Sequence, residues 1–74
     1  MVYIIEHLIT NVKQNMHNII YATDNKKDAI DFYNSRTLDT NPIPLYIESY
    51  ILSERNGKDY KVLDSKTNYA KSKI

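Results

Sequence analysis

The 74-residue chain contains no cysteine, no tryptophan, one glycine and two prolines. Without cysteine it can form neither a disulfide nor a thiolate metal site, and it has no cysteine nucleophile. A domain this short buries only about 60% of the surface that its unfolded chain exposes, so its core is thin. Because cysteine cross-links are excluded, we expect local propensity and self-association to stabilise the fold, and we predict a homodimer.

The chain also lacks a strong excess of either charge, with ten Lys+Arg residues against nine Asp+Glu residues and a formal net charge of +1. Strongly basic nucleic-acid binders and strongly acidic DNA mimics have a different balance. No segment approaches the roughly 18 apolar residues that span a bilayer. The apolar N-terminal stretch carries Glu6 and His7 and has no signal-peptide pattern. We therefore expect a cytoplasmic protein that does not associate with membranes.

Four segments rich in β-branched and aromatic residues predict strands. These segments are Val2–Ile9, His17–Thr23, Leu45–Ser53 and Tyr60–Asp64. Both faces of the first segment are mainly apolar, so this strand is expected to be central or covered on both sides.

A helix is predicted between the second and third strands. Asn25 is a favourable N-cap, and Asp28 stands three residues later as in an acidic capping box. Helical periodicity places an apolar stripe on one side, made of Ala29, Ile30, Phe32 and Tyr33. Arg36 suits the negative end of the helix dipole, and the helix should end near Thr37 because Pro42 cannot continue it.

The element order β-β-α-β-β predicts an α+β fold, in which one helix packs on a four-stranded, mainly antiparallel sheet. Residues 1–64 form this single two-layer domain. Residues 65–74 carry three lysines and no acid, which predicts a flexible, basic C-terminal tail.

Asn56-Gly57 is the strongest hairpin signal in the chain, and two registers are considered for it. A two-residue Asn56-Gly57 turn would set Arg55 against Lys58, two like charges. A type I turn with Gly57 as a bulge would pair Glu54 with Lys58, and we favour it because opposite charges then meet. In the favoured register, the residues that share the outward face are Tyr46, Tyr50, Leu52, Tyr60 and Val62. The residues that pack under the helix are the aliphatic set Leu45, Ile47, Ile51 and Leu63.

Seven tyrosines are the most unusual feature of the composition. One helix covers only one face of a sheet, so a tyrosine-rich second face would be either a dimer interface or a binding surface. The predicted protein-binding residues are Tyr3, Tyr46, Tyr50, Tyr60, Lys58 and Lys61. One alternative is a nucleic-acid or nucleotide binder that stacks bases on the same tyrosines and uses the lysines for phosphates. Another is a structural or assembly protein.

Candidate catalytic and metal-ligating residues are sparse. His7 and His17 do not complete a zinc site, because Glu6 points away from His7 on an alternating strand. Glu48 and Asp64 can be named as an acid–base pair, but a helix on a sheet offers them little concave volume. The acidic residues of the predicted helix are interleaved with lysines, which indicates a solvated helix face and not a phosphate mimic. We expect no catalytic site, no metal and no cofactor.

The segments VYIIEH and IIYATDNKKDAIDFYNSR, followed by YIESYIL and, four residues later, GKDYKV, span most of residues 2–64. This layout resembles short phage and prophage proteins of low-GC Gram-positive hosts, and the wealth of Ile, Lys, Asn and Tyr fits such genomes. The resemblance implies an anti-CRISPR or other anti-defence inhibitor. Such a protein binds a bacterial host protein, with an antiviral nuclease complex as the expected target, and blocks it sterically without catalysis.

Overall fold

The computed structural model of the protein describes residues 1–10, 15–38 and 47–68. They form four strands and one helix in the predicted order β-β-α-β-β. The elements are β1 (Val2–Thr10), β2 (Asn15–Thr23), α1 (Lys26–Ser35), β3 (Ile47–Asn56) and β4 (Asp59–Thr67). All three strand pairs are antiparallel, and they form one sheet in the order β2-β1-β3-β4. The predicted α+β fold class is therefore confirmed.

Strand β1 lies in the interior of the sheet, between β2 and β3. Its pairing with β3 is continuous from Val2 opposite Arg55 to Thr10 opposite Ile47. Its pairing with β2 contains a bulge at Ile20, because Ile5 pairs with Tyr21 whereas Glu6 pairs with Ile19. The apolar character of both faces of β1 thus matches its interior position, as predicted.

Helix α1 begins as the sequence predicts. The Asn25 side chain accepts a hydrogen bond of 3.1 Å from the Asp28 backbone N–H, which satisfies one of the free donors of the first turn. The helix ends at Ser35, where Arg36 is the C-cap and its N–H bonds the Tyr33 carbonyl. The predicted apolar stripe is confirmed at Ala29 and Tyr33, which are buried, whereas Ile30 lies at its margin and is 37% exposed.

The core lies between α1 and one face of the sheet. Its buried residues are Tyr3, Ile5, Ala29, Tyr33, Tyr50 and Leu52. Phe32 extends it toward β2 by stacking on the Tyr21 ring at 4.3 Å between centroids. Among the described elements, α1 lies over β1, β2 and β3, and β4 reaches it through side chains such as Lys66.

The register of the β3–β4 hairpin differs from both predicted registers. The two turn residues are Gly57 and Lys58, with Asn56 paired to Asp59. Gly57 has a φ of 65° and is the only described residue in the left-handed region, as a type II′ turn requires at its first central position. In this register Glu54 lies opposite Lys61, so an acid still stands opposite a base across the hairpin, but the base is a different lysine from the predicted one.

This change of register reverses the predicted faces of β3. Tyr60 pairs with Arg55 instead of Leu52, an odd offset, so Tyr60 stays on the face opposite the helix while Leu52 lies on the other face. Tyr50 and Leu52 therefore lie beneath the helix, and Ile51 lies on the opposite face. The predicted aliphatic layer under the helix is wrong in this respect, except that Leu63, at the bulge of β4, does pack against the core.

Strand β4 is longer than predicted. It runs to Thr67, so its last residues belong to the sheet and not to a flexible tail beginning at residue 65. Residues 69–74 of the predicted tail, and Leu45 and Tyr46 of the predicted third strand, lie outside the described residues. No helix in the described part of the chain is long and apolar enough to cross a bilayer.

Candidate protein-binding surfaces

The sheet face opposite α1 is not covered by any described element, and we call it the open face. It carries the even-numbered residues of β1, the odd-numbered residues of β3 and their partners on β2 and β4. Its best-exposed apolar residues are Ile19, Ile47, Tyr60 and Val62. Among the described residues its only acidic or basic side chains, apart from one histidine, are Glu6 and Arg55. Ile4, Glu6 and Ser53, on the two interior strands of this face, are buried, so the apolar surface that it exposes lies around them.

Glu6, His17, Tyr60 and Arg55 form a polar cluster within the open face. Glu6 is buried, with 5% of its surface exposed, and its Oε2 lies 2.6 Å from His17 Nε2. The Tyr60 hydroxyl lies 3.4 Å from Glu6 Oε1, which is longer than a usual O–H···O hydrogen bond. The Tyr60 ring meets the Arg55 guanidinium 4.9 Å from its centroid. Tyr60 thus contacts both the carboxylate and the guanidinium that the described part of this face carries.

A second surface lies on the helix side, between α1 and β4. Because α1 packs over the other three strands, it leaves a groove of about 310 Å³ beside β4. The groove is lined by Lys26, Ile30, Tyr33, Asn34, Leu52, Leu63 and Asp64. Strand β4 borders it as an edge of the described sheet, and all of its residues except Leu63 and Lys66 are exposed.

Tyr33 closes the inner wall of this groove and is 3% exposed. Its hydroxyl is buried without a hydrogen-bond partner. Burial, and to a lesser extent the negative charge of Asp64, raises the pKa of the Tyr33 phenol to about 12. Burial, followed by the charge of Glu48, likewise raises the pKa of Tyr50.

Lys66 joins the end of β4 to the end of the helix. Its Nζ donates hydrogen bonds of 2.8 Å to the Tyr33 carbonyl and 2.6 Å to the Arg36 carbonyl. The same ammonium lies 4.5 Å from the centroid of the Tyr33 ring. A cation therefore does compensate the negative end of the helix dipole, but it is supplied by β4 and not by the predicted Arg36.

The two histidines lie on opposite faces of the sheet, each beside a carboxylate. His7 is on the helix side, with its Nε2 2.6 Å from Glu48 Oε2 and its ring stacked on Tyr50. His17 is on the open face with Glu6. Sequence reasoning missed both pairs, although correct alternation along β1 and β2 would have placed Glu6 and His17 on one face. In the described residues no three acidic or histidine side chains converge as a metal site, and Asp64 pairs across the sheet with Leu52 instead of joining Glu48.

The predicted tyrosine surface does not exist as one patch. Tyr3 and Tyr50 are in the core under the helix, which corrects their predicted outward placement. Tyr46 lies outside the described residues. Tyr60 alone among the described members is on the open face, where it is 48% exposed.

The two predicted lysines are exposed at the β3–β4 hairpin. Lys58 is in the turn, and Lys61 is on the helix side of β4, opposite Glu54. Lys61 and Tyr60 therefore face opposite sides of the sheet. A base stacked on Tyr60 would not have the Lys61 ammonium on the same side for its phosphate.

No family model, curated protein or solved structure matches the chain. The function proposed below is accordingly argued from the surfaces themselves.

Proposed function

We propose that the protein is a non-enzymatic, phage-type binding protein that inhibits a bacterial host protein by steric occlusion. The proposed target class is an antiviral nuclease complex, as the resemblance of the sequence implies, and the proposed site of action is the host cytoplasm. The observation that carries the proposal of protein binding is the α1–β4 groove beside β4, an edge strand of the described sheet.

An exposed edge strand offers a row of backbone donors and acceptors to an extended segment of a partner. Pairing of this kind supplies affinity through main-chain hydrogen bonds, and pockets for alternate side chains supply specificity. Here the edge of β4 would supply the main-chain hydrogen bonds, and the groove would supply the pocket for side chains. Ile30 and Leu63 form apolar walls on either side, and Leu52 lies at the base.

The other edge strand, β2, is less suited to this mode of binding. Helix α1 packs against it, and the Phe32 ring stacks on Tyr21. A segment added to β2 would find this part of the helix side already filled. We therefore assign the target to β4, with Lys58 and Lys61 at the turn end of the same strand as flanking contacts.

The test is capture of the target by the tagged protein from lysate of a bacterial host, with identification by mass spectrometry. Ile30→Asp should abolish capture, because it places a charge in the apolar wall of the groove. Met16→Asp is the matched control, since Met16 has a similar exposure on β2, away from the groove. Lys61→Glu should weaken capture without abolishing it.

Inhibition is tested separately, by phage plating on a host that carries an active CRISPR system. Expression of the protein should restore plaque formation, and expression of the Ile30→Asp variant should not. If Ile30→Asp captures the target as well as the control Met16→Asp does, the groove is not the binding site. Salt-sensitive retention on a single-stranded oligonucleotide, with no protein captured, would favour the nucleic-acid alternative instead.

A further inference from the structure

Strand β4 carries charges of alternating sign on its helix side, along the edge of the described sheet. In chain order these residues are Asp59, Lys61, Asp64 and Lys66. Lys61 and Asp64 are both exposed. Lys61 makes no ion pair with the described residues, and the only described hydrogen bond of the Asp64 side chain is to the N–H of its neighbour Ser65. These two side chains can therefore pair with charges on a strand added to the edge.

The helix does not obstruct the addition of a second sheet at β4. Helix α1 lies over β1 and its two neighbours, β2 and β3. If two copies join through β4 with both helices on the same side, five strand spacings, or about 24 Å, separate β1 from its counterpart. A helix with its side chains is only about 10–12 Å wide, so the two helices do not collide.

The charges of β4 complement those of a second β4 in one register. A two-fold axis perpendicular to the sheet makes the two strands antiparallel and keeps helix-side residues opposite helix-side residues. With this axis between Val62 and Leu63, Lys61 lies opposite Asp64 of the second copy, and the contact is made twice. Opposite charges that face each other across two strands stabilise their pairing.

The neighbouring registers are disfavoured. A shift of one residue sets helix-side residues against open-face residues. A shift of two residues sets Lys61 opposite Lys66 in one direction and Asp59 opposite Asp64 in the other, and like charges in these positions are destabilising. In the selected register Asp59 lies opposite Lys66. Because the Lys66 ammonium is already bound by two helix carbonyls, the selection depends on the Lys61–Asp64 contacts.

We propose that β4 is the interface of a homodimer, in which it pairs antiparallel with β4 of a second copy about a two-fold axis between Val62 and Leu63. The two described sheets then form one sheet of eight strands. Val62 meets its counterpart on the open face, and Leu63 meets its counterpart on the helix side. A foreign strand would need an acid and a base at matching positions, whereas a second copy supplies both by symmetry.

The dimer uses the same edge strand that we assign to the target, so the second copy and the target exclude each other. This regulatory consequence rests on the proposed function, whereas the dimer itself does not. Because association depends on concentration, the edge is free for the target in dilute protein and occupied in concentrated protein. The mass of the protein alone tests the dimer, with no target present, so failure of either proposal can be recognised without the other.

The experiment is sedimentation equilibrium of the full chain over a range of micromolar concentrations. The wild-type protein should have twice the monomer mass of 8.7 kDa. Lys61→Asp and Asp64→Lys should each raise the dissociation constant of the dimer about tenfold or more, because repulsion replaces attraction at both contacts. An equimolar mixture of the two variants should restore the dimer, since every contact in the mixed pair joins opposite charges.

Lys27→Asp is the matched control, because it makes the same change of charge on the exposed surface of α1, away from β4, and should leave the dimer intact. Circular dichroism checks that the variants fold, as expected for exposed positions. A wild-type monomer would overturn the proposal, and so would species heavier than a dimer, because a two-fold interface closes. It would also be overturned by charge variants that dimerise as well as the wild type, or by a mixture of the two that stays monomeric.

Discussion

At the scale of single residues, Tyr33 combines a favourable and an unfavourable contribution. Its ring is part of the core and interacts with the Lys66 ammonium. Its hydroxyl is buried without a partner, and an unsatisfied buried group costs about 1–3 kcal/mol of desolvation. The side chain is thus stabilising through its ring and destabilising through its oxygen.

Tyr33→Phe removes the oxygen and keeps the ring, so we expect the free energy of unfolding to rise by about 1 kcal/mol. Urea denaturation followed by circular dichroism measures the change. Tyr33→Leu is the companion variant and should lower stability, because it loses the ring. A Phe variant less stable than the wild type would show that the hydroxyl has a partner in solution.

The raised pKa of Tyr33 makes the stability of the protein sensitive to alkali. Because the pKa is about 12 in the folded state against 10.0 for the free side chain, the unfolded chain loses this proton first as pH rises. The contribution of the neutral phenol is complete below pH 10 and is lost progressively as pH approaches 12. Stability should fall over this range, and Tyr33→Phe should reduce the fall in parallel denaturation series.

At the scale of elements, the hairpin turn depends on one glycine. Gly57 has a φ of 65°, and a Cβ built on it would meet no atom within 4 Å, so only backbone strain opposes a side chain there. Gly57→Ala should therefore destabilise the protein by about 1–2 kcal/mol. Lys58→Ala, at the next turn residue, is the control and should be nearly neutral. Equal midpoints in urea would contradict the turn geometry.

Lys66 connects two elements that otherwise make little contact, since α1 does not pack on β4. Lys66→Met keeps the length of the side chain and removes its two bonds to the helix carbonyls, which should cost about 1–2 kcal/mol. Lys27→Met, which removes an exposed helix pair with Asp31, should change little. Similar losses in both variants would mean that Lys66 acts only through general charge.

The elements could be predicted from the sequence, whereas the site could not. The β-branched and aromatic segments and the Asn25 cap are local signals, and they were sufficient to predict the order of the elements correctly. The faces of β3 and β4 depend on register, and register depended on which residue of Asn56-Gly57-Lys58 begins the turn. The favoured register began the turn at Arg55 and so paired Leu52 with Tyr60, which put Tyr50 and Leu52 outside together with Tyr60 instead of in the core. Tyr60 and Val62 themselves lie on the face opposite the helix, as predicted.

At the scale of the whole molecule, a dimer would couple stability to concentration. Association that involves only the folded state stabilises it by mass action. We expect the melting temperature of the wild-type protein to rise with total protein concentration. Scanning calorimetry over a hundredfold range of concentration measures this dependence. A constant melting temperature for the wild type would indicate that the thin core is sufficient by itself.

The interior position of β1 also governs how the chain can acquire its structure. The strand nearest the N-terminus completes its hydrogen bonding only when β3 is available, and the pairs extend from Val2 with Arg55 to Thr10 with Ile47. Tyr50 and Leu52, the core residues that pack beneath the helix, also belong to β3 and are therefore synthesised late. Contacts between residues so distant in sequence slow folding, because the intervening loop must close first. During synthesis, the β1–β2 hairpin and the helix would therefore leave the ribosome with their apolar sides exposed. They would become a stable domain only after β3, which ends at residue 56, had emerged as well.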